Sequence, residues 1–423
     1  MVTGSPKVRI REPRREGQQI VVRISEDSLP LDHPARLLWE VFGRLDLSAF
    51  TAQAKAVQGA RGGSLKSRRM LLTLWAYALT QGVVSARAIE RRLRDNDHAF
   101  RWIAGDQHVS HTLLSEFLSD HREAMEALFT NVLGALQGQG LIFLPDHRAA
   151  QDGTRVRANA GKSSFRTSDG LQDALEQAEL HLKAVMARMD DPAPTEAQQQ
   201  ARERGAMEVL DRVKRATKVV RKLQDKRSDC RNKKRQTTEP KASTTDPDAR
   251  IMKVSNGGFE PAYNVQLAAM GSPMGGPVTV IGVQVTSLGS DKHSILPMCE
   301  QVERRTGLEL SEILVDGEHL THEELLAAIA QGRTVIAPIP ERWDKSEAPQ
   351  APAIRRWISE MKTEPIRRTY RARKALIERV NAILKDRFAL RQVPVRGLHK
   401  VLCVFLLAAV VLNLMQHGQS LLT

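Results

Sequence analysis

A mixed-sheet α/β domain, preceded by an all-α region and interrupted by an inserted helical hairpin, is the fold this sequence predicts. Three observations predict it. Through the first third of the chain, apolar residues recur at helical spacing. Beyond Leu141, β-rich segments alternate with helical ones, as in an α/β sheet. Between them lie two heptad-like runs joined by a Pro-containing linker. At 423 residues the chain exceeds one ordinary core. The expected division is a basic arm at 1–30, a helical domain at 31–140, and an α/β domain at 141–395 that holds the helical insertion at 168–240. An apolar helix within 396–423 should pack on the α/β domain.

The opening "MVTGSPKVRIREPRREG" is basic and has no apolar stretch of the secretory kind. "HPARLLWEVFGRLDLSAF" sets Leu37, Leu38, Val41, Phe42 and Leu45 at helical spacing, with Pro34 suited to the first turn. "SRRMLLTLWAYALTQGV" and "SARAIERRLRDNDHAFRWIAG" follow, separated at Gly82, with Ser85 as a candidate N-cap. "VSHTLLSEFLSDHREAMEALFTNVLGALQGQG" carries a long helical pattern that ends in glycines. Trp39, Trp75 and Trp102 fall within these apolar patterns and read as core. Short helices with Arg87, Arg91, Arg92 and Arg94 on outer faces suit a helix-turn-helix-like module, and equally a bundle with a solvated arginine face.

Strands are expected from Leu141, with Asp152 closing the first apolar segment. Leu171, Leu175, Ala178, Leu182, Val185 and Met189 then form one heptad seam, and Leu210, Val213, Thr217, Val220 and Leu223 a second. With "DDPAPTEAQQ" between them they predict an antiparallel helical hairpin. Its second arm runs into "RVKRATKVVRKLQDKRSDCRNKKRQ", either a solvated face or a phosphate-contacting arm. "AYNVQLAAM" and "PVTVIGVQVTS" read as strands joined at "GSPMGG". Helix, strand, helix and strand follow, and then a long helix in "YRARKALIERVNAILKDRF". There Ile377, Val380, Leu384 and Phe388 make the apolar face, while Arg371, Lys374, Glu378, Asn381 and Lys385 line another.

The formal net charge is +14, which directs the chain to a polyanion. Val401–Met415 is apolar but shorter than the roughly 20 residues that span a bilayer, so it reads as a core helix and no membrane is expected. Nucleic acid is favoured. Cys230, Cys299 and Cys403 have no paired spacing, which fits a reducing compartment; with nucleic acid as partner, the expected setting is cytoplasmic and nucleoid-associated.

Asp152 and Asp316 each follow an apolar segment and precede a glycine, and Glu378 lies among cations on the late helix. A turn is the plain reading of Asp-Gly. The chemical reading is a set of hard oxygen donors held beside phosphate-binding cations. Phosphodiester chemistry uses two divalent ions, and Mg²⁺ prefers carboxylates. Asp291 in "LGSDKH" precedes a helix and reads as its N-terminal cap. His319 and His322 in "DGEHLTHEE" lack a further zinc ligand, so the segment reads as a polar helix start with Glu323 and Glu324 in the first turn.

These segments, in order, resemble the DDE-type transposases of bacterial insertion sequences. "LPLDHPARLLWEVFGRLDLSAF" resembles their helical N-terminal domain, "QDGTRVRANAGKSSF" the segment of the first aspartate, and "GGFEPAYNVQLA" the strand after the insertion. "ILVDGEHL" sits where the second aspartate occurs, although the family often reads Asp-x-Gly-Tyr there. Tyr370, Arg373, Glu378 and Lys385 supply a Tyr-Arg-Glu-Lys signature whose Arg–Glu gap is one residue longer than usual. The resemblance implies an RNase H-like catalytic domain that cleaves transposon ends and transfers strands to target DNA by two-metal phosphoryl transfer. Asp152, Asp316 and Glu378 would bind Mg²⁺, with Mn²⁺ as a substitute. Tyr370, Arg373, Lys374, Lys385, Arg155, Arg157, Arg91 and Arg92 would contact DNA. The partners implied are double-stranded DNA, at terminal inverted repeats and target, and a second copy in a synaptic dimer. The alternative is a catalytically silent, sequence-specific DNA-binding derivative.

Overall fold

The structure, a computed structural model, describes residues 26–422 except 53–63, 96, 106, 143–147, 188–194, 229–237, 255–256, 273–275 and 345–350. Most of the basic arm, and Cys230, lie outside the described residues. Six helices come first: α1 (Pro34–Arg44), α2 (Arg68–Thr80), α3 (Ala86–Arg94), α4 (His98–Ala104), α5 (His111–Asp120) and α6 (Arg122–Gly138). Their starts are set locally. Ser67, Ser85, Asp97 and Ser110 each accept a first-turn N–H through the side chain, and Pro34 occupies the first turn of α1. The long pattern expected near residue 121 is two helices. At His121 the backbone leaves helical geometry, and the ring packs on Phe50 and Phe117 with Nδ1 3.0 Å from Phe117 O.

Among the described residues eight strands follow: β1 (Arg148–Arg157), β2 (Phe165–Arg166), β3 (Ala242–Ser243), β4 (Arg250–Lys253), β5 (Phe259–Gly271), β6 (Val278–Thr286), β7 (Glu312–Leu314) and β8 (Thr334–Ile336). The first strand begins at Arg148 and not at Leu141. Gly140 turns left-handed after α6, and Leu141 N–H bonds to Leu136 O, so this stretch closes the helix. In the main sheet β5 lies between β1 on one edge and β4 and β6, in succession, on the other, all antiparallel. β7 and β8 continue beyond β1 in parallel. The expected β5–β6 hairpin is present. β4 and the small β2–β3 ribbon were not expected.

The insertion is the expected hairpin: α7 (Ser168–Ala187) packs on α8 (Glu196–Ser228). Leu171, Ala216, Val220 and Ala242 form a small core at its base. The remaining helices are α9 (Ile295–Thr306), α10 (His322–Ala330), α11 (Glu341–Asp344), α12 (Pro352–Met361) and α13 (Glu364–Arg373). From α13 the chain runs through a π turn (Lys374–Glu378), α14 (Arg379–Ala382) and a second π turn (Ile383–Arg387), and α15 (Leu398–His417) ends the fold. Ile377, Val380, Leu384 and Phe388 are buried, as their spacing predicts.

α15 is long and apolar enough to cross a membrane, yet most of it is buried against α2, α5, α6 and β6. Each large apolar side chain removed from water there contributes about 1.5–3 kcal/mol. Its one buried amide, Asn413, is matched: it donates to Val280 O and accepts from Val280 N, both at 2.8 Å. One buried cluster extends from Leu29 through the sheet to Leu414, so helices and sheet share a core.

Candidate active site

Alternation along β1 sends Asp152 and Gly153 to opposite faces of the sheet. Asp152 faces the helix that begins as α13. Arg373 donates to Asp152 Oδ1 at 2.7 Å, and Asn381 Nδ2 donates to Oδ2 at 2.8 Å. Burial pushes the Asp152 carboxyl above its ordinary value; Arg373 opposes this, and Asp291 and Asp316 add to it. Asp152 is not at the tip of β1, because pairing with β5 carries the strand on to Arg157. On the other edge, however, the ladder with β7 stops at Ala150–Leu314. Asp152 and Asp316 each lie two residues past that pair, just beyond the end of the parallel ladder, and the Asp316 charge helps raise the Asp152 carboxyl.

Asp316 is exposed and accepts from Glu318 N at 3.3 Å, capping a short turn, Gly317–His319. The following residue must be small, since a Cβ on Gly317 would lie 2.9 Å from Pro338 O. His319, at the end of that turn, is buried with its Nε2 3.3 Å from Gln266 Oε1. Desolvation lowers its pKa, so the ring is neutral; Asp291 and Asp316 pull the other way.

The late helix reaches Asp152 through an irregularity. In an unbroken α-helix two residues eight apart are rotated by about 80°, whereas seven apart make nearly two full turns. A π turn absorbs one residue. Lys374–Glu378 is such a turn, so Arg373 and Asn381 both meet the carboxylate. The same count treats the separation of Arg373 and Glu378 as four residues, about 40° apart and not 140°. The residue by which this signature exceeds its usual spacing is taken up there.

Glu378 is nevertheless exposed, and among the described residues its carboxylate makes no hydrogen bond or ion pair. No three acidic, histidine or cysteine side chains among the described residues are grouped closely enough to hold an ion. Tyr370 is half-buried beside Arg373, and burial raises its phenol. Lys385 is half-buried; desolvation lowers its pKa and Asp152 acts against this. Lys374, Arg157, Arg91 and Arg92 are exposed, Arg92 with Asp97 at 3.4 Å. The turn between α2 and α3 lies against this helix, a Cβ at Gly82 falling 3.4 Å from Arg387 O.

One reading is corrected behind β1. Asp291 is not a helix cap. It is buried, paired with Arg155 at 2.8 Å, and accepts from Asn264 at 2.7 Å and Gln266 at 2.6 Å. The N-terminus of α9 is met instead by Glu324, which accepts from His293 N at 2.7 Å and Ile295 N at 2.8 Å. Tertiary neighbours decide both cases, because the segment before α9 crosses beneath β1 and β5. Arg155 is thereby held on Asp291 and Gly289 O, on the face away from Asp152. A Cβ on Gly153 would overlap Asp291 and Gln266, which explains the glycine after Asp152. Sequence offered one signal for Asp291, an acid flanked by Ser290 and Lys292 before a helix, and that pattern fits a cap equally.

A cleft of about 1200 Å³ between α6, β6 and α15 contains none of these acids. Residues 345–417, which include Tyr370, Arg373, Glu378 and Lys385, match the family model described as "Transposase DDE domain". Residues 23–120, covering α1 to α5, match "Transposase domain (DUF772)". No curated protein and no solved structure matches the chain.

Proposed function

Because the chain belongs to the DDE-type transposases of insertion sequences, we propose that it severs DNA at the ends of its element and joins the freed 3′ ends to target DNA. One observation carries this reading. Asp152 and Asp316 both lie just past the end of a parallel ladder, and Asp152 is gripped by the helix that bears Tyr370, Glu378 and Lys385. The sheet, with its antiparallel β6, β5 and β1 followed by parallel β7 and β8, supports an RNase H-like catalytic domain.

Asp152, Asp316 and Glu378 would hold Mg²⁺, or Mn²⁺ in its place. The donor set fits: all three are hard oxygen ligands, and a carboxylate's four lone-pair sites leave Asp152 acceptor capacity beside its Arg373 and Asn381 donors. Asn381 Oδ1, buried at the same carboxylate without a partner, adds a further oxygen. The ions supply Lewis acidity at the scissile phosphate. Arg373 neutralises Asp152, while Tyr370, Lys374 and Lys385 line the helix along which phosphates would be positioned. Arg157, and Arg91 and Arg92 on α3, would contact the flanking duplex; Arg155 serves inside the protein, on Asp291. Two ends must be held together, which calls for a dimer.

A catalytically silent DNA-binding derivative is the second reading, favoured by the exposed Glu378 carboxylate, which among the described residues forms no group of three acids with Asp152 and Asp316. Purified protein with Mg²⁺ and DNA bearing the element's terminal inverted repeats separates them. Asp152→Asn should abolish nicking and leave binding intact. Nicking by that variant at the wild-type rate would overturn the ligand assignment, and no nicking by wild type with binding retained would favour the silent form.

A further inference from the structure

We propose that the outer face of α8 is a track for duplex DNA, formed by a line of four lysines that the active site does not use. Lys214, Lys218, Lys222 and Lys226 recur every four residues, about 6 Å apart along the axis and about 18 Å end to end. All four are exposed, on the face opposite the buried Val213, Ala216 and Val220. Among the described residues none of the four is ion-paired. Arg215 is tied to Asp211 at 3.3 Å, and Arg221 stands exposed beside the line. Between residues 212 and 227 there are eight Lys or Arg and one Asp.

This is not the charge pattern of a self-satisfied hairpin. α7 exposes Asp169, Asp173, Glu176 and Glu179, yet no ion pair crosses from these to the lysines. The basic arm is left facing outward at a cost in self-repulsion, which a polyanion would relieve. It is also fixed in place. Leu171, Ala216, Val220 and Ala242 lock this half of α8 onto the β2–β3 ribbon, and Arg212 lies close enough to Arg396 for their charges to repel. A duplex carries one phosphate charge per about 1.7 Å of axis, so an 18 Å track faces on the order of ten phosphates. The occupant is the duplex flanking the cut site, which makes this inference rest on the transposase reading.

The test is the salt dependence of DNA binding by the full-length protein, read by fluorescence anisotropy on a duplex. Each phosphate contact contributes about 0.9 to the slope of log affinity against log salt. Changing Lys214, Lys218, Lys222 and Lys226 to Gln should flatten the slope by about 3 to 4 and weaken binding at fixed salt. Changing only Lys218 and Lys222 should give about half that, and Lys→Arg at all four should restore it. Gln has nearly the helix propensity of Lys, so the circular dichroism should not change. An unchanged slope overturns the proposal, as does an unchanged slope with an altered oligomeric state, which would make this face a contact between copies. Asp152→Asn should keep the wild-type slope while losing nicking, so failure of the track and failure of the catalytic reading give different results.

Discussion

Replacing Arg373 by Ala removes the guanidinium that meets Asp152 at 2.7 Å and strands a carboxylate that burial already disfavours. Removing one partner of a buried pair costs about 3–5 kcal/mol; Asp152 keeps 24% side-chain exposure, so about 3 kcal/mol is expected near neutral pH. The pH dependence has a defined sign. The folded pKa of Asp152 is raised above its ordinary 3.8, so the native state holds this proton to higher pH than the unfolded chain does. The penalty of the ionised form therefore grows as pH rises through the folded pKa and is absent below the ordinary carboxyl range. Without Arg373 the folded value rises further, so the Arg373→Ala deficit should be largest near neutrality and shrink on acidification. Urea unfolding in EDTA at about pH 7 and about pH 4 measures it. Asp152→Asn combined with Arg373→Ala should recover most of the loss at the higher pH. A deficit equal at both pH values, or a double variant no better than Arg373→Ala alone, would refute the reasoning.

Two further predictions concern the backbone on either side of this carboxylate. Gly153→Ala should cost about 1–3 kcal/mol, because the new methyl displaces the buried Asp291 from its Arg155, Asn264 and Gln266 partners; calorimetry with an unshifted midpoint would contradict this. Deleting the exposed Ala375 should convert the π turn to regular helix with stability held within about 1 kcal/mol, since Arg373 and Asn381 would then be seven apart. A much larger loss in denaturant unfolding would show that the extra residue has another structural role.

What could be read in advance was what depends on local pattern. The apolar faces of the late helix, the hairpin seams as far as they are described (Met189 lies outside the described residues), the Ser85 cap and the β5–β6 hairpin follow from periodicity and turn chemistry, and they occur where expected. Asp152 and Asp316 were identifiable as acids beside glycines, but their shared place past the end of the β1–β7 ladder depends on pairing between segments more than 150 residues apart. Asp291 and Glu324 were read from their own helices, whereas their partners come from β1, β5 and the chain before α9. The π turn has no pattern of its own and left only an irregular spacing. Division into separate units also reads differently in three dimensions: composition separates residues 31–140 from the sheet, while α15 buries its sides against both.

That burial has a mechanical outcome. With α2, α5, α6 and β6 all packed on α15, a hinge motion of the amino-terminal helices relative to the sheet would have to break buried contacts of that helix. On the proposed function, a duplex bound by those helices would be held at a set reach from the acids, as between the jaws of a caliper, and the offset between the two positions would be built into the protein.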